Sequence, residues 1–282
     1  DSKCKALGVT WNTKKDTLGF HITVSQSMSN IETKRAILKT LASIYDPIGI
    51  ASPVLIDAKR IFQEGCRLKI DWDDHLPPPL LTAWKKWKTD IIKLEDYDIP
   101  RCIKLNKKIL SIELHAFSDG SELAYGAVVY ARIVYTDNSC STSIIASKSR
   151  MTPLNNSTIK TVPRIELSSA KLATELTQKI LTEIEYDFDK VYYWSDSITV
   201  IRYIKNEDKR FQRFVFNKIA FIRNFSLPEQ WFYVPTKANP ADIISRGASP
   251  SLLIKSKLWN EGPEYLDTKN ITMTPQDFTM NI

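Results

Sequence analysis

The stretch His115-Ala116-Phe117-Ser118-Asp119-Gly120-Ser121 decides the fold. An apolar run from Ile112 to Phe117 stops at an aspartate followed by glycine and serine. That pattern predicts a buried strand delivering one carboxylate to the open end of a sheet, where a turn begins. Ala124 to Val134 follows at hairpin distance, apolar alternating with polar, and reads as the antiparallel neighbour. A carboxylate in such a place has two readings. It caps its own turn, or it is a metal ligand.

Working outward, strands are predicted at 109–118, 123–134 and 142–148, the last two joined by Thr136-Asp137-Asn138-Ser139. A long helix runs from Pro163 to Glu183, with proline at its first turn and Ile165, Leu172, Leu176 and Ile180 among its apolar positions. A strand at Lys190–Trp194, helices at Ser197–Lys205 and Phe211–Phe225, a strand at Trp231–Val234 and a helix near Pro240 complete the series. The order βββαβααβα makes this an α/β fold, a mixed five-stranded sheet flanked by helices. Residues 106–247 are taken as that domain, and 248–282 as a C-terminal tail or linker.

The preceding residues, 1–105, read as a mostly helical module. Leu7 to Val24 alternates around Asn12-Thr13-Lys14-Lys15-Asp16 as a hairpin would, and Ile31–Tyr45 has helical spacing until Asp46-Pro47 stops it. Pro53 opens a second helix. Asp71 to Pro79 is a rigid connector, and Leu80, Leu81, Trp84, Trp87, Ile91 and Leu94 stripe a third helix as core.

Composition bounds the function. The 282 residues are 43% hydrophobic and 25% charged, ordinary for a globular protein, and every apolar run is interrupted by charge, so no membrane partner is expected. The four cysteines, Cys4, Cys66, Cys102 and Cys140, form no Cys-x-x-Cys pair, which argues against zinc or disulfides and for a reducing compartment. The opening Asp1-Ser2-Lys3-Cys4 has no signal-peptide pattern and reads as part of a longer polypeptide. A net charge of +7 and a pI near 9.1 suit an anionic partner such as nucleic acid.

Four acidic residues stand at element ends: Asp119, Glu166, Asp196 and Asp242. Singly, Glu166 and Asp242 complement a helix dipole and Asp196 caps a helix. Together, four carboxylates repel one another unless cations neutralise them. Hard oxygen ligands select Mg²⁺, with Mn²⁺ as substitute, and two such ions about 4 Å apart clamp both oxygens of an in-line phosphodiester displacement.

The blocks His115–Ser121, Pro163–Leu167, Trp194–Ser197 and Asn239–Arg246 resemble the four acidic blocks of type-1 ribonuclease H, in particular the domain after reverse transcriptase in retroelements of the BEL/Pao class. Lys34–Leu38, Ile44–Gly49 and Ala146–Arg150 support the likeness, which runs over residues 5–260. The resemblance implies endonucleolytic cleavage of RNA in an RNA–DNA hybrid during reverse transcription, with Asp119, Glu166, Asp196 and Asp242 as catalytic residues and as ligands of two Mg²⁺ ions. It places Ser197 near the substrate phosphate and makes Lys148, Arg150 and Arg164 backbone contacts. The implied partners are the hybrid and the neighbouring reverse transcriptase and integrase regions of a polyprotein. The implied location is the cytoplasm, in a virus-like particle if the element is active, with the nucleus as the alternative. Residues 1–105 then resemble a reverse transcriptase tail with its thumb or connection region.

Two departures accompany the likeness. The loop Val234–Pro240 lacks the histidine many type-1 enzymes carry there, so slower turnover is expected. The basic segment Lys205–Arg210 is short, so an extended substrate handle is not expected. Two other readings compete: a catalytically silent nucleic-acid-binding or packing module of a degraded or host-adopted copy, and an aspartic peptidase, as Pao regions are also called. The peptidase needs Asp-Ser/Thr-Gly twice, whereas here the serine precedes Asp119 and nothing repeats.

Overall fold

The computed structural model describes residues 3–6, 9–22, 32–104, 106–154, 161–208 and 210–268. The chain forms two units, Asp1–Cys102 with Gly247–Ser256, and Ile103–Arg246 with Lys257–Ile282.

The first unit carries a four-stranded antiparallel sheet of β1 (Lys3–Ala6), β2 (Val9–Asn12), β3 (Thr17–Gly19) and β4 (Asp98–Pro100), in that order. The expected hairpin corresponds to β2 and β3. Its ends at Leu7, Gly8 and residues 23–24 lie outside the described residues, and the outer strands β1 and β4 were not anticipated. Three helices follow the expected stripes: α1 (Lys34–Ser43), α2 (Ser52–Arg67) and α3 (Pro78–Ile91). The Thr33 hydroxyl caps α1 by accepting from Ala36 N at 3.2 Å, and the Asp46 carboxylate accepts from Ile50 N and Ala51 N just before α2. Trp84 and Trp87 stack at 5.2 Å in the core, with Trp87 Nε1 donating to Val54 O. They pack, as expected.

In the second unit, β5 (Ile109–Gly120), β6 (Ala124–Tyr135) and β7 (Cys140–Met151) form an antiparallel meander. Next come α4 (Val162–Glu183), β8 (Lys190–Ser195), α5 (Ile198–Lys205), α6 (Arg213–Phe225), β9 (Trp231–Tyr233) and α7 (Ala241–Arg246). The sheet order is β7-β6-β5-β8-β9, with β8 parallel to both β5 and β9. This is the expected mixed five-stranded sheet. Every residue of β6 is buried because both faces of the sheet are covered, whereas β7, an edge strand, is rich in serine and exposes Lys148 and Arg150. On one face, Leu114, Ala116, Ala127 and Val129 share a core with Ile165, Ala173, Val200 and Ile219.

The chain then forms α8 (Pro250–Lys255), which belongs to the first unit, and α9 (Lys257–Glu261), which belongs to the second. Residues 257–268 correct the reading of 248–282 as a tail or linker; 269–282 lie outside the described residues. Trp259 and Leu266 are fully buried, and the Tyr265 ring lies 5.3 Å from Trp194. Tyr130 Oη donates to Trp259 O at 2.7 Å. The buried Arg132 guanidinium donates to Leu266 O at 2.6 Å, to Thr268 O at 2.5 Å and to Glu113 at 2.7 Å. Burial acts to raise Glu113, but hydrogen bonds from His115 and Arg132 outweigh it and hold the carboxyl below its usual range. His115, fully enclosed, accepts from Trp194 Nε1, and burial pushes its pKa down, favouring the neutral ring. The segment is fixed by main-chain carbonyls on a buried charge, which a side-chain pattern does not reveal.

Candidate active site

Two glycines let the elements converge. A Cβ on Gly120 would stand 2.9 Å from Ile165 Cγ2 and 3.1 Å from that residue's carbonyl, so only glycine admits the first turn of α4 to the end of β5. A Cβ on Gly126 would stand 2.3 Å from Ile244 Cγ2, so the same economy seats α7 on β6. Asp119 pairs with Gly126 in the ladder, which places it between these two close approaches. Ser118 pairs with Ser195 across the parallel strands, which brings Asp196, one residue past β8, alongside.

The four carboxylates predicted from sequence therefore gather at one end of the sheet. Asp119 is buried, and its Oδ2 accepts a hydrogen bond from the buried Ser245 hydroxyl. Glu166 Oε2 accepts from Ser197 Oγ at 2.6 Å. Burial raises the Glu166 pKa and the charge of Asp119 adds to it, against the Ser197 hydrogen bond. Burial and then Asp119 push Asp196 up to about 6, with a hydrogen bond from Thr236 opposing. Asp242 is raised by burial and by Asp119, with Arg246 opposing through an Nε–Oδ1 hydrogen bond of 2.7 Å. One charge, that of Asp119, thus acts on the other three.

Loop residues hold this arrangement. Asn239, fully buried, donates from Nδ2 to Ser118 O at 3.1 Å and accepts from Ala241 N, tying the turn before Asp242 to the strand that carries Asp119. Ser121 Oγ donates to Ser245 O at 3.0 Å. The cap of α5 is Ser197, not Asp196: its hydroxyl accepts from Val200 N while donating to Glu166. Ser245, Arg246, Thr236 and Asn239 escaped the sequence reading as site residues. Ser245 and Arg246 were findable, since positions three and four past Asp242 share its helix face.

Lys148 and Arg150 pair with Ala127 and Tyr125, on the face that α4 covers. Arg150 meets Glu175 at 3.5 Å, and Arg164 donates to Gln212 Oε1 at 2.8 Å.

Among the described residues, no three His, Cys, Asp or Glu side chains already close on a single metal position. Serine, threonine and arginine partners hold the carboxylates instead. The donors nevertheless suit a hard divalent cation: all four are carboxylates, and three are pushed toward protonation by burial and by Asp119, a penalty a cation relieves.

The sequence model of the Pao retrotransposon-like RNaseH-like domain matches residues 33–197. The chain belongs to this family. The matched span of this Pao-like domain holds Asp119, Glu166 and Asp196 and stops before Asp242. No curated protein matches the chain. Among solved structures, it is similar to a foamy viral protease-reverse transcriptase dRH in complex with double-stranded DNA, at 10% identity and TM-score 0.50, over 82% of this chain and 38% of that one. The Pao-like chain thus spans well under half of that relative, and the likeness is one of fold. It also matches RNase H1 from Halobacterium salinarum (16% identity, TM-score 0.31, 47% of this chain, 91% of that one). A further match is LC11-RNase H1 in complex with an RNA/DNA hybrid (15%, 0.28, 48% and 93%).

Proposed function

We propose that this chain is a retroelement ribonuclease H that hydrolyses the RNA strand of RNA–DNA hybrids during reverse transcription. The observation that carries the reading is the convergence of four carboxylates from four element ends, with Asp119 electrostatically coupled to the other three. Asp119 would be shared by two Mg²⁺ ions, Asp242 would hold the one on the attacking-water side, and Glu166 and Asp196 the one on the leaving-group side. Bound there, the ions would supply Lewis-acid polarisation of the phosphate and a nucleophile at neutral pH.

The protein's own contribution is orientation. Ser245 fixes one oxygen of Asp119, Ser197 fixes one oxygen of Glu166, and Arg246 restrains Asp242. Asn239 locks the loop that carries Asp242 to the strand that carries Asp119. The substrate would be selected by helical form and 2′-hydroxyls, with no base sequence read. The chain would act beside reverse transcriptase and integrase regions of its polyprotein, in the cytoplasm or within a particle.

The test is cleavage of a labelled RNA–DNA hybrid by the wild type and by Asp119→Asn. Cutting by the wild type alone, with Mg²⁺ and not after EDTA, is expected. Folded protein that cuts with neither Mg²⁺ nor Mn²⁺ overturns the reading. It would favour the second one, a non-cutting nucleic-acid module, which draws on the serine and arginine partners already engaging the carboxylates.

A further inference from the structure

Helices α4 and α6 lie side by side and run in the same direction, because each leads back to a strand parallel to β5. Arg164 meets Phe214 near their beginnings, and Gln178 Nε2 donates to Phe225 O near their ends. Between these points the facing stripes are cationic and aromatic by turns. The Arg164 guanidinium lies 5.3 Å from the Phe214 ring centre, the Lys218 ammonium 4.9 Å from the same ring, and the Lys171 ammonium 4.0 Å from Phe221. Arg150 joins from the edge strand through Glu175, the anion that Lys171 also pairs with.

The positive charge here exceeds its compensation. Glu175 serves both Lys171 and Arg150, and Lys218 has no hydrogen bond or ion pair within 4 Å among the described residues. Burial and the neighbouring charges of Lys171 and Arg150 bring Lys218 down to about 8, with Glu175 opposing. A half-buried ammonium crowded by two other cations is relieved by a polyanion. The aromatic rings hold the cationic heads in place beforehand, which lowers the ordering cost of binding one.

We propose that the α4–α6 stripe of Arg164, Lys171 and Lys218, joined by Arg150 of β7, is a nucleic-acid backbone track that feeds the hybrid to the carboxylates. Arg164 stands two residues before Glu166 in the first turn of α4, about 200° around the helix, so a strand on the track rounds the helix's N-terminus to reach the proposed site. Seven residues of helix from Arg164 to Lys171 cover about 10.5 Å, room for roughly three nucleotides of rise at 3.4 Å each. The track supplies a substrate handle that the short Lys205–Arg210 segment does not. It rests on the nuclease reading for its substrate, and on the stripe itself for its location.

The experiment measures hybrid binding by fluorescence anisotropy across a salt series, in the full chain carrying Asp119→Asn. Adding Lys171→Gln and Lys218→Met is expected to weaken binding about tenfold or more and to lower the salt slope by about 1–2. Lys171→Arg with Lys218→Arg is expected to stay within about threefold of the parent, and circular dichroism melts confirm that all variants fold. Equal affinity of parent and double variant overturns the track and leaves the nuclease reading intact. Binding through the track by a wild type that never cuts overturns the nuclease reading alone. A polyglutamate peptide that displaces hybrid as well as an oligonucleotide of equal charge assigns the stripe to an acidic protein and overturns the proposal.

Discussion

The Ser245 hydroxyl donates to Asp119 Oδ2, joining residues 126 positions apart at the centre of the carboxylate group. The serine also reaches Asp242 O at 3.2 Å, so one buried hydroxyl touches the environments of two proposed metal ligands. Ser245→Ala leaves a buried carboxylate short of a donor and is expected to cost about 1–3 kcal/mol. Cleavage is expected to fall about 10–100-fold, the usual effect of removing a group that orients a metal ligand. Denaturant unfolding and hybrid cleavage check the two numbers separately. A variant as stable and active as wild type would show that the hydroxyl orients nothing.

Divalent cations are expected to raise the melting temperature at pH 7.5 by mass action, since they bind the folded carboxylate group and not the unfolded chain. Asp119→Asn is expected to abolish that shift. Without metal, the same variant is expected to melt higher than wild type, because it removes the charge that strains Glu166, Asp196 and Asp242. Calorimetry with Mg²⁺ and with EDTA reads both effects, and a variant destabilised in EDTA would contradict the electrostatic account.

The raised pKa of Asp196 sets a pH dependence. Its folded-state pKa of about 6 lies above the ordinary 3.8, so the folded protein binds the extra proton. The favourable contribution is therefore complete below about pH 4 and is lost as pH rises through 6. In EDTA, Asp196→Asn is expected to gain stability over wild type at pH 7.5 and to lose that advantage at pH 4.5. Paired urea titrations at the two values give the sign directly.

Gly126→Ala drives a methyl into Ile244, which carries the α7 helix and with it Asp242. Overpacking of this kind costs about 1–3 kcal/mol, and displacement of Asp242 is expected to lower cleavage along with stability. Ile244→Ala in the same molecule opens the space and is expected to restore part of both. A double-mutant cycle with no coupling would deny that the glycine positions α7.

Arg132→Met removes the cation that holds Glu113 and the carbonyls of Leu266 and Thr268. Breaking a buried pair in this way costs about 3–5 kcal/mol. Limited proteolysis is expected to cut within 257–268 in the variant before it cuts elsewhere, and to spare that segment in the wild type.

The sheet and its carboxylates were legible because β5, β6, β7 and α4, the long elements of 109–246, carry their own periodicity, whereas β9 and α7, with three and six residues, were placed by the aromatic run Trp231–Tyr233 and by Pro240. Asp119, Glu166, Asp196 and Asp242 sit where those periods break. The outer strands of the N-terminal sheet were not legible: β1 and β4 have four and three residues, too few for alternation to stand out. The anchoring of 257–268 was hidden for another reason. Its contacts on Arg132 are made by carbonyl groups that every residue possesses, so Leu266 and Thr268 carry no distinguishing letter. The track on α4 and α6 was half visible, since Arg150 and Arg164 were named but Lys218 gains its meaning only from the helix beside it.

Arg132 has consequences for the order in which the domain is made. Leu266 follows it by 134 residues, so β6 leaves the ribosome with a guanidinium whose carbonyl acceptors have not yet been synthesised. At about 5–20 residues per second, that interval lasts roughly 7–27 seconds. During this time, β5, β6 and β7 can zip together, but burying the sheet's second face would strand the Glu113–Arg132 pair without its carbonyls. The nascent domain is thus expected to wait as a half-covered sheet, open to chaperones, and to complete only when its final turn arrives.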